Sequence, residues 1–433
     1  MIGDVILDLL MKREDFTTSY PPFNVLNIKD TSALWEKKRV NVYVHLPFCP
    51  TRCDFCYYRV EEPKGRDEIS DYVELLLKEI EIMSQRPEFN TYTMESMYFG
   101  GGTPTMLSAD QIVTITEAIK KVFPVTDDFE FCVEVRPGGE ATTPKLESMK
   151  KLGVHRVSMG VQSLDEKVLE LNGRNHSKPL FYSTYERVRK AGFDWVSCDI
   201  MSGMVGATDE NWINTINEMV QLKPENIALY KMEVYYNTKL FRKVRKDPDL
   251  LISNAKEVQH FEYARETFGR NGYSMWDCFS FTNNDRYIHR HRLNVQSGGE
   301  MIGIGLSSHS YVNGYIYQNA SQLNEYRDFV NNNKLPINRA YKMSQQDEII
   351  RFITMGLKNL SFSASDFLNR FGFEVQDLYG KQMSYLMEKG IVIKNGDNFI
   401  VTSSYYGYAD DIGRYFYPEN KKESMLAHIS RGG

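Results

Sequence analysis

The sequence predicts an α/β protein: a partial barrel of six strand–helix repeats, followed by a smaller helical, winged-helix-like module. Between residues 41 and 230, short apolar segments alternate with longer amphipathic ones, a pattern typical of βα units that build a parallel sheet. The repeats number six, fewer than the eight of a closed barrel. Beyond residue 336 the pattern changes to short helices and one small hairpin, which indicates a second module.

Each predicted strand is a short apolar run, and the six runs cover residues 41–46, 96–99, 129–135, 155–159, 195–200 and 226–230. The amphipathic segments between them predict helices at 68–83, 110–122, 143–152, 180–191 and 210–222. Helices at 255–270 and 345–358 and a glycine-containing strand region at 301–317 follow. In the tail, helices are predicted at 363–371, 376–389 and 408–416, with a hairpin at 391–401 that turns at Asn395-Gly396-Asp397.

The chain length supports more than one domain, because 433 residues exceed the usual size of a single hydrophobic core. Pro336 and a polar run at 334–338 interrupt the repeating pattern. We therefore expect an N-terminal extension at 1–40, a barrel with a family-specific extension at 41–335, and a C-terminal lid domain at 336–433.

The charge balance argues against a polyanionic partner, because 52 basic and 57 acidic residues give a net charge of −5. No global positive field attracts nucleic acid or an anionic membrane, so a small-molecule substrate is favoured.

The first residues contain Asp4 and Asp8 and no basic segment before an apolar run, so no signal peptide is expected. No later apolar run is long enough to span a bilayer, and a cytoplasmic location follows as the expectation.

Three of the six cysteines, Cys49, Cys53 and Cys56, lie within eight positions directly after the first predicted strand. That is the face on which barrel enzymes build their active sites. The spacing Cys-x3-Cys-x2-Cys lets three thiolates hold a four-iron cluster and leaves one iron without a protein ligand. A structural zinc site would need a fourth Cys or His nearby, and none follows Cys56. Zinc and three unrelated thiols remain open as alternatives on spacing alone.

The cysteine motif after a first barrel strand resembles the radical S-adenosylmethionine (SAM) superfamily. Tyr43-Val-His-Leu-Pro-Phe-Cys49 resembles its oxygen-independent coproporphyrinogen III oxidase branch, and the likeness extends over most of the chain. The resemblance implies a 4Fe-4S cluster whose open iron binds the amino and carboxylate groups of SAM. One electron then cleaves SAM into methionine and a 5′-deoxyadenosyl radical. It also implies an electron donor such as flavodoxin or ferredoxin.

The resemblance assigns SAM contacts to the ends of successive strands. Glycines in Tyr98-Phe-Gly-Gly-Gly-Thr-Pro104 allow close backbone approach, although a tight strand–helix turn would also explain them. A carboxylate suits the ribose hydroxyls or the ammonium of SAM, and a guanidinium suits its carboxylate; any one of these charged groups alone could be a surface ion pair. The residues assigned in this way are Gly101, Gly102, Thr103, Glu134, Gln162, Arg174, Asp199 and Met232, the last to the adenine slot or to the core.

Several reactions share this scaffold, so the fold alone does not determine the substrate. Decarboxylases of the branch continue past the third cysteine with Gly-Cys, whereas this chain reads Cys56-Tyr57-Tyr58, and Glu134-Val-Arg-Pro137 departs from their strand-three signature. The histidine-containing element of heme-trafficking members is retained only at His291. By elimination, the sequence favours a methyltransferase or cyclopropanase that uses two SAM molecules and transfers a methylene group to an sp2 carbon. Coproporphyrinogen oxidation or anaerobic heme processing is the alternative.

Further site residues follow from that interpretation. By resemblance, Phe55 touches the second SAM, the loop 303–309 covers it, and Tyr43 lies beside the cluster. Methylene transfer requires a base, for which Glu233 and His309 are candidates, although a structural role is common for a single histidine. The basic run 286–292 could recognise substrate carboxylates or form a solvated face.

The tail also suggests a different class of protein, a DNA-binding regulator that carries an iron–sulfur sensor. Such a regulator needs a basic recognition helix. In the helix predicted at 376–389, Lys381 and Lys389 are offset by Asp377 and Glu388. A lid that holds substrate and excludes solvent is therefore the favoured role of the tail.

Overall fold

Six parallel strands form the centre of the structure, a computed structural model that describes residues 20–21 and 39–421. Each strand pairs with the next along the chain. They are β1 (Arg39–Leu46), β2 (Thr93–Gly101), β3 (Val125–Val135), β4 (Arg156–Gln162), β5 (Val196–Ser202) and β6 (Asn226–Lys231). The predicted parallel α/β core is thus confirmed. The predicted N-terminal extension lies outside the described residues, apart from residues 20–21 and 39–40.

Helices connect the strands, and successive helices pack against one another. They are α1 (Arg66–Ser84), α2 (Ala109–Val122), α3 (Thr143–Lys151), α4 (Glu166–Leu171), α5 (Lys178–Lys190) and α6 (Asp209–Leu222). In α2, Ser108 and Gln111 form a capping box that starts the helix. Ile112, Ile115 and Ile119 then recur at helical spacing and are fully buried. The α2 helix therefore packs its apolar stripe into the main core.

Further elements extend the sheet at both edges. They are α7 (Lys239–Lys246), α8 (Asn254–Arg270), β7 (Ser274–Met275), β8 (Ser280–Thr282), α9 (Arg290–Gln296), β9 (Glu300–Ile304), β10 (His309–Val312), β11 (Tyr315–Asn319), α10 (Leu323–Asn331) and β12 (Ile337–Lys342). Strand β9 pairs in parallel with β1, and β10 to β12 continue as an antiparallel meander. In the described part of the chain the twelve strands form an open arrangement, β12-β11-β10-β9-β1-β2-β3-β4-β5-β6-β8-β7. Strand β12 belongs to this sheet although it lies beyond residue 335, where the sequence predicts the end of the barrel domain.

The C-terminal part has its own core and a small antiparallel sheet of order β13-β15-β14. Its elements are α11 (Gln345–Lys358), β13 (Ser361–Ser363), α12 (Ala364–Phe371), α13 (Val375–Glu388), β14 (Val392–Asn395), β15 (Asn398–Val401) and α14 (Ala409–Arg414). The β14–β15 turn places Gly396 at φ 58°, a conformation that glycine adopts readily. The predicted helical, winged-helix-like module is confirmed.

Helix α14 joins this module to the sheet at the end of β6. The Nζ atom of Lys231 lies 3.4 Å from a carboxylate oxygen of Asp411. The adjacent Asp410 forms a buried ion pair with Lys358, 2.8 Å apart. The tail is therefore packed against the carboxyl end of the parallel strands. Among the helices that the structure describes, none has the length and apolar character needed to cross a lipid bilayer.

Candidate active site

The cysteine loop follows β1 at the carboxyl end of the sheet and is anchored at both of its ends. Backbone hydrogen bonds between Cys49 and Glu61 (3.0 Å) and between Glu61 and Pro47 (2.7 Å) close its base. In its middle, the buried Asp54 accepts a 2.5 Å hydrogen bond from Nζ of Lys243. The Asp54 carbonyl also accepts a hydrogen bond from the Leu240 amide, 2.8 Å away. Helix α7 therefore holds the loop between its second and third cysteines.

The three cysteines are half-buried free thiols, and each is close to the others or to a polar side chain. Cys49 Sγ lies 3.4 Å from Oγ1 of Thr103, and Cys53 Sγ accepts a hydrogen bond from Nη1 of Arg174 at 3.3 Å. Burial raises the pKa of Cys56 to about 12, and the other two thiolates add to the rise. Thiols of this kind bind a metal only with loss of their protons, so the loop needs nearby positive charge.

Two arginines supply that positive charge. Burial raises the pKa of Cys49, whereas its hydrogen bond to Thr103 and the Arg136 and Arg174 cations oppose this rise. Within residues 20–21 and 39–421, no three His, Cys, Asp or Glu side chains converge on the position of a single metal ion. Three neighbouring thiols with two guanidinium groups beside them fit the donor set of an iron–sulfur cluster.

The glycine loop after β2 packs directly on the cysteine loop. The amides of Gly102 and Thr103 donate hydrogen bonds to the carbonyls of Leu46 (2.8 Å) and Phe48 (2.7 Å). A Cβ atom at Gly102 would lie 2.6 Å from each of these oxygens. A side chain at this position would collide with the backbone of the cysteine loop, so glycine is required here. The close approach predicted for a ligand is thus also an approach between two protein loops.

Glu134 and Asp199 lie near each other at the carboxyl ends of strands β3 and β5, and the region between them and the cysteine loop is here called the recess. Glu134 accepts a 2.6 Å hydrogen bond from the Tyr98 hydroxyl and a 3.2 Å bond from the Gly101 amide. Burial raises its pKa to about 7, the Tyr98 bond lowers it, and Asp199 raises it further. Asp199 accepts hydrogen bonds from Ser158 at 3.1 Å, and burial raises its pKa. Both predicted SAM-contacting carboxylates thus face the same recess.

The two polar groups predicted after β4 carry atoms without protein partners. Gln162 adopts φ 67°, which is uncommon for a residue other than glycine. Its Oε1 atom is buried and has no hydrogen-bond partner, and the same is true of Nε of Arg174. Because buried polar atoms are normally satisfied, these two residues fit a polar ligand between the strand ends, as SAM would be.

Tyr43 and His309 both lie near His45 of strand β1. The Tyr43 hydroxyl is 3.0 Å from Nδ1 of His45, and its ring stacks on Tyr98 with centroids 6.0 Å apart. Burial lowers the pKa of His309 to about 3, and the nearby His45 lowers it further. His309 is therefore a neutral imidazole at neutral pH.

The predicted loop 303–309 is held by helix α1. The carboxylate of Glu79 accepts hydrogen bonds from the Gly305 amide (2.9 Å), the Asn319 side chain (2.8 Å) and the Tyr326 hydroxyl (2.5 Å). The Tyr72 hydroxyl accepts a further bond from the Leu306 amide at 2.9 Å. The path of the loop is thus determined by buried side chains of a distant helix.

Glu233 follows β6, where the C-terminal helix α14 approaches. Burial raises its pKa to about 8, Lys231 and Arg414 lower it, and Glu257 and Asp411 raise it. A carboxyl with this pKa exchanges its proton near neutral pH, as a general acid or base must. Glu233 therefore has the electrostatic environment of a proton-transfer group, and part of this environment comes from the tail.

Met232 and Phe55 occupy an apolar cluster beneath α7. Met232 is only 1% exposed and packs with Leu240 and Val234, and Phe55 is half-buried against the same group. The structure therefore places Met232 in a small core, the alternative that the sequence left open, and gives Phe55 a packing role at the cysteine loop.

Two arginines of the basic run 286–292, Arg290 and Arg292, form ion pairs within the protein. Arg290 pairs with Asp128 at 2.5 Å, and Arg286 donates to the Tyr287 hydroxyl. Arg292 binds Asp277 at 3.2 Å and the Tyr230 hydroxyl at 2.6 Å. The recognition of substrate carboxylates by these arginines stays a prediction, and Arg290 and Arg292 would have to share their charge with these internal partners.

An aromatic wall beside Cys56 was missed by the sequence analysis. Tyr57 stacks on Tyr58 and on Tyr235, with ring centroids 4.3 Å and 4.2 Å apart. Tyr58 keeps 45% of its surface exposed although it lies near Cys56, Glu134 and Tyr230, so it lines an open recess. The two adjacent tyrosines after Cys56 could have indicated an aromatic surface there. Their contact with Tyr235 could not be predicted, because that residue is distant in the sequence.

Comparison with known proteins relates this site to a family. Residues 43–219 match the sequence model of the Radical SAM superfamily. The heme chaperone HemW of Bacillus subtilis is 26% identical over 358 residues, which cover 81% of this chain and 92% of that protein. The oxygen-independent coproporphyrinogen III oxidase of Helicobacter pylori is 26% identical over 402 residues, which cover 88% of this chain and 85% of that protein.

A solved structure shows the same fold. Coproporphyrinogen III oxidase (HemN) from Escherichia coli, a radical SAM enzyme, superimposes with a TM-score of 0.81 at 21% identity, over 93% of this chain and 96% of that one. This likeness confirms the predicted fold. A radical SAM domain implies a 4Fe-4S cluster and SAM, which Cys49, Cys53 and Cys56 and the recess behind them fit.

Proposed function

We propose that this chain, which carries a radical SAM domain in residues 43–219, is an enzyme that cleaves SAM reductively and oxidises a tetrapyrrole substrate without oxygen. Relatives that match more than 80% of this chain are named for coproporphyrinogen III oxidation or for heme, and both molecules are tetrapyrroles. The single structural observation that supports this substrate class is the exposed surface of Tyr58, within a stack of three tyrosine rings that begins directly after Cys56.

A flat or conjugated substrate suits this recess because aromatic rings bind one another by offset stacking and by burial of apolar area. Tyr57, Tyr58 and Tyr235 form a continuous wall of three rings, and Tyr58 keeps 45% of its surface exposed. The wall begins at the residue after Cys56, so a substrate on it would lie close to the cofactor site.

The residues of the recess have distinct roles in the proposed reaction. A cluster held by Cys49, Cys53 and Cys56 would supply the electron that splits the sulfonium of SAM and generates the 5′-deoxyadenosyl radical. Arg174 offers a guanidinium to the carboxylate of SAM, and Glu134 offers an acceptor for its ammonium or ribose groups. Glu233 holds a proton near neutral pH and can exchange it with the substrate. The packed C-terminal module limits the access of water to the recess.

The methylene-transfer interpretation favoured by the sequence finds no support in these relatives. It rested on eliminating the other reactions by short sequence departures, such as Tyr57-Tyr58 in place of Gly-Cys. Similarity over nearly the whole chain to a coproporphyrinogen III oxidase and to a heme chaperone favours tetrapyrrole chemistry instead. The products of the reaction distinguish the use of one SAM molecule per turnover from the use of two.

The test is an anaerobic assay of reconstituted protein with dithionite, SAM and coproporphyrinogen III or heme. We expect 5′-deoxyadenosine, together with a tetrapyrrole product of changed mass. Formation of S-adenosylhomocysteine in proportion to the product would instead support the methylene-transfer interpretation. Release of 5′-deoxyadenosine with no change in either tetrapyrrole would contradict the substrate class, and no release from a fully loaded, reduced cluster would contradict the enzyme class.

A variant links the assay to the aromatic wall. We expect Tyr58→Ala to raise the KM for the tetrapyrrole roughly three- to tenfold, the effect of losing one aromatic contact, while SAM binding stays unchanged. Tyr263→Ala, in helix α8 away from the recess, is the matched control. An equal KM in both variants would exclude a role of Tyr58 in substrate binding.

A further inference from the structure

Helix α7 carries the strongest local concentration of positive charge next to the cysteine loop. Five of its eight residues are Lys or Arg and none is acidic. Its apolar side is turned inward, with Leu240 buried and Phe241 and Val244 half-buried. Its outer surface, here called the α7 basic face, consists of the exposed residues Lys239, Arg242, Arg245 and Lys246.

The α7 basic face is not neutralised by the rest of the described chain. In residues 20–21 and 39–421, none of its four cations forms an ion pair, whereas Lys243 on the same helix is paired with Asp54. Asp247 and Asp249 follow the helix and are exposed, but the Asp247 side chain is turned to the Asp249 amide. A chain with a net charge of −5 thus presents an isolated cationic surface here.

This surface is attached directly to the loop that bears the three cysteines. Leu240 and Lys243 both hydrogen-bond Asp54, the residue after Cys53, and Phe55 packs beneath the helix. An α-helix with its side chains is roughly 10 Å across. A protein seated on the α7 basic face would therefore be separated from the cysteine loop by a single helix.

We propose that the α7 basic face is the docking surface for a small acidic protein that carries one electron. The inference rests on the proposed function, because each reductive cleavage of SAM consumes one electron that must come from outside the chain. The carrier is oxidised by one electron and the cluster held by the cysteines is reduced by one, so the step is balanced. Complementary charge steers such encounters and raises their rate at low ionic strength.

The charge distribution favours an acidic protein over an extended polyanion. The α7 basic face spans two turns only, with Asp247 and Asp249 at one end. Nucleic acid and anionic membranes present charge over a much larger area than this face offers. A compact acidic patch matches the size of the helix.

The test compares a triple charge reversal on α7 with a matched reversal elsewhere. Lys239→Glu, Arg242→Glu and Lys246→Glu are combined in one variant. Lys121→Glu, Lys151→Glu and Lys334→Glu are combined in the control, which has the same net charge and changes exposed lysines at or beyond the ends of α2, α3 and α10. Lys243 is left intact because it anchors Asp54. Circular dichroism and thermal unfolding establish that both variants are folded.

Reduced flavodoxin serves as the probe, with its dissociation constant measured by calorimetry and the rate of cluster reduction by stopped-flow absorbance. At low ionic strength we expect the α7 variant to bind flavodoxin about tenfold more weakly, or worse, than wild type and control do. We expect its cluster to be reduced more slowly by a similar factor, and both differences should become smaller in about 0.5 M salt. Reduction by dithionite should be equal in all three proteins.

The outcomes separate this proposal from the proposed function. Equal affinity and equal rate for the α7 variant and the control would overturn the docking surface, even if SAM is cleaved normally. Binding of wild type, but not of the α7 variant, to vesicles with anionic lipid or to duplex DNA, with flavodoxin unaffected, would also overturn it. A wild type that binds flavodoxin through α7 but cleaves no SAM with dithionite would keep the surface and reject the enzyme.

Discussion

The Tyr98 hydroxyl donates a 2.6 Å hydrogen bond to the carboxylate of Glu134, across the neighbouring strands β2 and β3. Burial raises the pKa of Glu134 to about 7, and this hydrogen bond is the first of the interactions that oppose the rise. The ionisation of Glu134, which we predict to contact SAM, therefore depends in part on the Tyr98 hydroxyl.

The first prediction concerns SAM binding as a function of pH. Because an ionised Glu134 is the better acceptor, we expect SAM affinity to increase as pH rises through about 7. Tyr98→Phe removes a bond to a charged group worth about 1.5–3 kcal/mol, so the midpoint should move upward by roughly one unit or more. Equilibrium dialysis of SAM between pH 5.5 and 9 measures this shift.

Tyr182→Phe is the control for the first prediction, since Tyr182 donates a similar 2.7 Å hydrogen bond to Glu218 on the outer helices. It should leave the midpoint at its wild-type value. If Tyr98→Phe and Tyr182→Phe give superimposable curves, Glu134 is not the group that controls SAM binding.

The second prediction concerns the cluster ligands. Anaerobically reconstituted wild type should contain about four irons per chain, and Cys49→Ala, Cys53→Ala and Cys56→Ala should each reduce the iron content to near zero. Iron analysis and the visible absorbance of the cluster measure this. Cys278→Ala, which removes a buried thiol from the C-terminal core, should retain the iron; a full cluster in all three loop variants would reject the assignment.

The third prediction concerns stability and Glu79. Burial raises its pKa from 4.5 to about 7, so the folded state holds a proton that the unfolded state releases between these values. Stability therefore decreases as pH rises from about 4.5 to 7, by roughly 3 kcal/mol for this group. Glu79→Gln cannot ionise and should flatten this slope in urea unfolding measured from pH 5 to 8. A slope as steep in the variant as in wild type would assign the pH dependence to other groups.

The fourth prediction concerns the packing of the C-terminal module. Asp410 is buried with Lys358 and Arg414, whose cations lower its pKa although burial alone would raise it. Asp410→Asn removes a buried carboxylate charge that pairs with Lys358 and with Arg414, so we expect a loss of about 3–5 kcal/mol in the free energy of unfolding. Glu170→Gln, which breaks an exposed pair with Lys167, should cost less than about 1 kcal/mol. Equal losses would show that the Asp410 cluster does not stabilise the module.

The fold was more predictable from the sequence than the site. Strand and helix positions follow from local periodicity, which is why all six parallel strands occur where the apolar runs predicted them. The cysteine motif is likewise contiguous. Its anchor is not, because Lys243 and Asp54 are 189 positions apart. Lys231 and Asp411 are 180 positions apart, and Glu79 and Gly305 are 226. Such contacts arise only when the packed elements bring distant residues together, so the electrostatics of the recess required the structure.

The last prediction distinguishes the two candidate proton-transfer groups by the pH dependence of turnover. Burial raises the pKa of Glu233 to about 8, whereas burial lowers the pKa of His309 to about 3. If Glu233 acts as the base, the rate of tetrapyrrole turnover should rise with pH and level off above about 8. If His309 acts instead, the rate should not change with pH between 6 and 9, because its imidazole is neutral throughout this range. Initial rates of product formation in saturating SAM measure the profile.

Two variants make this assignment specific. Glu233→Gln should lower turnover by roughly 10²- to 10⁴-fold, the usual contribution of a positioned acid or base, while SAM binding is unchanged. Lys231→Met removes the cation that lowers the pKa of Glu233 most, so the limb should move above 8 in a variant that keeps the carboxyl itself. If Glu233 has only a structural role, its substitution should reduce activity, but Lys231→Met should not shift the pH at which the rate levels off. A limb that stays at the same pH in Lys231→Met would therefore exclude Glu233 as the titrating group.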